Sequence, residues 1–169
     1  MLALLPGPAL AADALVDEIE QRLASAGVAS ANEYLSAQPD AAVARFHRKT
    51  ASCDLHAVSL AIRLTRGANT RAAQAHEESL RAATGRCARF VLALASAADI
   101  AKVCASQAAW GAAQTARELR RRIADIEADK LLRGTEQGQA CRVAYLDELR
   151  NTRVTLRVAS PSPARVQAR

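Results

Sequence analysis

The chain has 169 residues, half of them hydrophobic but only 3% aromatic, and Lys plus Arg outnumber Asp plus Glu by 23 to 17. That length fits one domain with a real core, although alanine supplies much of the apolar content and each alanine contact buries little area. No apolar run reaches the ~18 residues of a membrane-spanning helix, no period-two alternation or Asn-Gly turn marks a strand pair, and no proline falls between Pro39 and Pro161. The fold class predicted is all-α: an elongated antiparallel bundle of about four long helices with one or two short helices at the N-terminus.

Charge is spread unevenly. Residues 1–40 carry Asp13, Asp17, Glu18, Glu20, Glu33 and Asp40 against Arg22, whereas residues 142–169 carry six arginines against Asp147 and Glu148. Arginine far outnumbers lysine. Arginine suits phosphate or carboxylate recognition, and together with the alanine excess it also matches the codon bias of a GC-rich genome.

Residues 1–12 are uncharged and include Ala9-Leu10-Ala11, a small-x-small cleavage pattern behind Pro8. They read as the remnant of a secretory signal peptide that lacks its basic start. Residues 13–158 are expected to form a single helical-bundle domain, and 159–169, with Ser160-Pro-Ser-Pro163, a disordered basic tail. Asp13–Ser25 places Leu15, Ile19 and Leu23 on one face and stops at Gly27. Ser30 to Glu33 is a capping box for a short helix that ends at Pro39.

The centre of the chain is a predicted helical hairpin, Val43 to Leu94. Val43, Phe46, Thr50, Cys53, Ala57, Leu60 and Leu64 form one seam of a single long helix, and Leu55, Val58 and Ile62 form a second apolar strip. A stop at Arg66-Gly67 and a restart at Asn69-Thr70 lead into a second arm with Ala73, His76, Leu80, Ala83, Cys87, Phe90 and Leu94 inward and a kink at Thr84-Gly85. Ser96 to Asp99 then opens the longest predicted helix, running to Arg133 with a seam of Ala105, Ala109, Ala112, Ala116, Leu119, Ile123 and Ile126. A last helix, Thr135 to Val158, turns Cys141, Tyr145, Leu149, Thr152 and Leu156 inward.

Four cysteines allow three pairings. The hairpin register puts Cys53 opposite Cys87, which pairs Cys104 with Cys141. A simple turn at Gly134 would instead set Cys104 opposite residue 163, so this second bridge requires a bend. The alternatives are Cys87–Cys104 with Cys53–Cys141, or four reduced thiols in a cytosolic protein.

Chemistry-bearing patterns are sparse. Cys53 and His56 stand one helical turn apart with His76 on the facing arm, a weak Cys/His metal set that needs Cys53 reduced. His76 alone is read as a seam histidine with a hydrogen-bond partner. Glu77-Glu78 and Asp147-Glu148 are adjacent carboxylates, expected to diverge around a helix rather than share a site. No phosphate loop, nucleophile elbow or His-Glu-x-x-His occurs, so neither enzymatic activity nor a cofactor is expected. Arg117, Arg120, Arg121 and Arg122 make a basic patch followed by Glu118, Asp125, Glu127 and Asp129, which reads as a solvated face of intrahelical ion pairs. Trp110, the only tryptophan, is placed mid-helix, and with Arg117, Arg120 and Arg121 it is the candidate partner contact.

These features point first to an exported protein of the bacterial envelope, periplasmic or secreted. It would be disulfide-linked and would bind another protein as an inhibitor, an immunity-type protein or an assembly accessory. The alternatives are a cytosolic helical protein that sets its basic C-terminal helix on nucleic acid or an acidic partner, and a metal-binding bundle. Two-sided, alanine-rich helices also allow a homodimer.

Overall fold

The computed structural model of the chain describes residues 8–67 and 70–159, and the described residues form eight helices and no strand. The fold is all-α. Residues 1–7 of the predicted signal remnant and 160–169 of the predicted tail lie outside the described residues. The first helix, α1 (Pro8–Ser36), includes residues 8–12 of the predicted remnant.

Gly27 breaks α1 as its sequence position suggests, with φ 81° and ψ 179°, a backbone that other residues adopt only under strain. The capping box expected at Ser30 does not form, because the helix has resumed by Val28, whose carbonyl accepts from Asn32 Nδ2. Val16, Ile19, Leu23, Ala31 and Leu35 are buried along α1.

The first arm of the predicted hairpin is two helices, α2 (Asp40–Ala51) and α3 (Leu55–Leu64). The break has a local cause. The Asp54 carboxylate accepts the Ala57 N–H at 3.0 Å and caps a new helix, while Cys53 turns to φ 71°. Leu55, expected in the second apolar strip, becomes the first residue of α3 and is 61% exposed. Phe46, Thr50, Ala57, Leu60 and Leu64 keep the predicted seam buried.

The second arm is α4 (Thr70–Leu94), and its kink falls at Cys87 (φ −140°, ψ 52°) rather than at Thr84-Gly85. Gly85 serves packing instead, since a Cβ there would lie 2.6 Å from Arg122 Nη2.

The predicted helix from Ser96 to Arg133 is three pieces, α5 (Ala97–Val103), α6 (Ala112–Ala128) and α7 (Lys130–Gly134). The capping box of Ser96 and Asp99 does form. Residues 104–111 leave helical geometry because tertiary partners take their polar groups. Glu148 accepts the Ser106 N–H at 2.9 Å and also its hydroxyl, and Glu78 accepts the Ala108 N–H at 2.8 Å. These charged acceptors outweigh the helix propensity of the alanines. Asp129 makes the second break by accepting from the Leu131 and Leu132 N–H groups. Of the predicted seam, Ala116, Leu119, Ile123 and Ile126 are buried, Ala105 and Ala112 are half-buried and Ala109 is exposed. In α8 (Glu136–Ala159), Cys141, Tyr145 and Leu149 are buried and Thr152 is half-buried.

The helices form two groups that share α4. α1, α2 and α3 pack on one another, and α2 and α3 on α4; α5, α7 and α8 pack on α4, with α6 against α8. One hydrophobic cluster runs through both groups, from Val16 to Leu149. No helix among the described residues is long and apolar enough to cross a membrane.

Candidate functional site

The cysteines pair as Cys53–Cys87 and Cys104–Cys141, with Cα separations of 6.3 Å and 5.3 Å. Three of the four sit where a helix is interrupted: Cys53 between α2 and α3, Cys87 at the α4 kink, and Cys104 at the end of α5. The register problem at Gly134 disappears for this reason. Cys104 does not belong to the helix that turns there, so it is free to meet Cys141 on α8. One bridge fixes the kink of α4 and the other fixes the 104–111 segment against α8.

That segment carries Trp110. The Cys104 bridge, Glu148 and Glu78 anchor it at three points. Trp110 then stands beside Arg122, whose guanidinium carbon is 5.0 Å from the indole centroid and 5.7 Å from the Tyr145 ring. Arg122 is only 4% exposed. Its Nη1 donates to the Tyr145 hydroxyl at 3.2 Å, and its buried Nε–H has no acceptor. No carboxylate among the described residues pairs with it. Burying a cation costs several kcal/mol. Two aromatic faces at about 1 kcal/mol each and one hydrogen bond of about 1 kcal/mol offset only part of that. Burial pushes the Tyr145 phenol up and the nearby Arg122 charge pulls it back, burial winning.

Arg122 lines a cleft of about 420 Å³ beside the α4 kink, with Arg86, Arg89, Arg121, Asp125 and Asp129 also on its walls. Arg89 binds Asp129, and Arg121 reaches Glu118 and Asp125. Arg117 and Arg120 are exposed on α6. The predicted patch is thus part solvated face, as Arg121 is, and part interior. Sequence reasoning missed Arg122, although its spacing from Thr115, Leu119 and Ile126 puts it on the apolar stripe of α6. It placed Trp110 mid-helix, whereas the residue lies just before α6.

A second polar cluster joins α1, α3 and α4. Asn32 Nδ2 donates at 3.0 Å to the Leu64 carbonyl at the end of α3, which among the described residues otherwise accepts only the long bond from the Gly67 N–H at 3.4 Å. Its Oδ1 therefore accepts from His76 Nε2 at 3.0 Å. His76 is neutral, protonated on Nε2, with Nδ1 buried and unpartnered. Ser79 gives its hydroxyl proton to the His76 carbonyl, so His47 Nδ1 donates to Ser79 Oγ. The two imidazoles are 5.1 Å apart. Burial, then the neighbouring His47, push the pKa of His76 down to about 3, and burial lowers that of His47. A histidine whose folded pKa is depressed binds its proton more tightly when unfolded, so stability is full above pH 6.5 and falls as pH drops towards 3. His76 alone removes about 2 kcal/mol between pH 7 and pH 5. Urea unfolding at the two pH values checks this, and His76→Gln should lose most of the difference.

The three weak metal candidates are not brought together as free ligands. Cys53 is in a disulfide, His56 Nε2 is 2.7 Å from Glu20, and His76 is on Asn32. The expectation for Glu77-Glu78 needs correction. Adjacent carboxylates do share a partner, because Arg81 is long enough to reach both, at 3.2 and 3.1 Å, while its Nε holds the Lys102 carbonyl. Asp147 and Glu148 diverge, to Arg150 and to Ser106. Compared with known proteins, the chain matches no family model, no curated protein and no solved structure.

Proposed function

We propose that this chain is an exported, disulfide-stapled helical protein of the bacterial envelope, periplasmic or secreted, that acts by binding another protein. The observation that carries this reading is the position of the two bridges. Each joins a point of helix interruption to another element, so the fold relies on bonds that persist only in an oxidising compartment. The partner contact is assigned to α6, where Arg117 and Arg120 are exposed beside the Trp110 segment. Nucleic-acid contact through the α6 arginines loses support, because Arg121 is held by Glu118 and Asp125 and Arg122 is buried; the basic tail of the alternative reading lies outside the described residues.

Cross-linking in intact cells of the native host with a membrane-impermeant reagent tests the proposal. It predicts a discrete adduct between this chain and one other protein, weakened at least five-fold by Arg117→Glu with Arg120→Glu. Recovery of the uncross-linked chain from the cytosol would contradict it.

A further inference from the structure

The cleft beside the α4 kink holds a charge imbalance that the fold leaves open. Four arginines and two aspartates line it, and both aspartates are engaged, Asp129 by Arg89 and Asp125 by Arg121. Arg86 and Arg122 have no carboxylate partner among the described residues. Arg86 makes one long bond to the Ala51 carbonyl at 3.4 Å, and Arg122 is buried with an idle Nε–H. The rest of the lining is largely apolar, with Phe90, Ile126 and Leu132. A volume of about 420 Å³ is in the range of small-molecule sites.

We infer that this cleft binds a small organic monoanion, a carboxylate carried on an apolar body, with its charge against Arg122 and its body against Phe90, Ile126 and Leu132. The planar guanidinium fork matches a carboxylate. A dianion such as phosphate would bring a second charge for which only the exposed Arg86 remains, and it has no apolar body to fill the walls. This inference is independent of the compartment in which the chain works.

Trp110 supplies the readout. It is the only tryptophan and it stands 5.0 Å from Arg122, so its fluorescence reports on the guanidinium. The disulfide-intact protein is titrated at constant ionic strength with cyclohexanecarboxylate, with the neutral cyclohexanecarboxamide and with inorganic phosphate. The expected result is a saturable change with the carboxylate and at least ten-fold weaker binding of the other two. Arg122→Met should weaken carboxylate binding at least ten-fold. Where that variant does not fold, Gly85→Ala decides. Its new Cβ would lie 2.6 Å from Nη2 and 2.9 Å from Cζ of Arg122, which displaces the guanidinium and weakens binding at least five-fold. A response that does not saturate overturns the inference. So does amide or phosphate binding as tight as the carboxylate, or wild-type affinity in whichever variant folds.

Discussion

Replacing Cys104 and Cys141 together by alanine lowers folding stability by about 4 kcal/mol. The bridge spans 37 residues, and closing a loop of that length in the unfolded chain accounts for about 4 kcal/mol in the chain-entropy account. Such a loss is a large fraction of the 5–15 kcal/mol that holds an ordinary domain together. The two sulfurs are also fully buried, so the alanines leave space behind them. The bridge is one of three anchors of the 104–111 segment, so the same variant should loosen Trp110 from Arg122 and shift its emission before global unfolding. The matching pair, Cys53→Ser with Cys87→Ser, spans 34 residues and should cost a similar amount. Its Trp110 emission should stay native until the fold melts, because that bridge does not hold the segment. Denaturant unfolding followed by circular dichroism and by fluorescence separates the two cases. A loss below about 1 kcal/mol in either pair would mean that the cross-links are not structural.

Gly138→Ala should destabilise the protein by about 3 kcal/mol, the sign opposite to helix propensity. Exchanging glycine for alanine inside a helix ordinarily gains about 1 kcal/mol. Gly138 lies in α8 directly against the end of α7, where an added Cβ would sit 1.9 Å from the Leu132 carbonyl oxygen and 2.7 Å from its carbon. The obstacle is backbone, which cannot swing aside as a side chain tip does, so α7 and α8 must separate. The added Cβ would also lie 2.9 Å from Thr135 Oγ1, which caps the start of α8 by accepting the Gly138 N–H. Thermal unfolding of the single variant measures the effect; unchanged or raised stability would contradict this close packing.

The legible part of the fold was what periodicity and capping encode. Step-three and step-four spacing marked the buried residues of α2 to α4 and of α8, Gly27 marked the break in α1, and Ser96 with Asp99 marked the start of α5. The pairing of Cys53 with Cys87 followed from the register of the hairpin. What escaped were breaks made by contacts across the fold. Alanine-rich stretches such as 104–111 carry strong helix propensity, and only Glu78 and Glu148, distant in sequence, overrule it. Asp129 is a cap that was visible but was read as a surface charge within a longer helix, and Asp54, the other cap, fell inside the single long helix drawn through Cys53. Arg122 escaped for a different reason. It belongs to a run of arginines that looks solvated, and only its seam position reveals that it points inward.

The most direct test of the account is a non-reducing peptide map with a free-thiol count, on protein taken from its native host. The expected map has no free thiol and two linked peptide pairs, Cys53 with Cys87 and Cys104 with Cys141. Four free thiols would contradict it and move the protein to a reducing compartment.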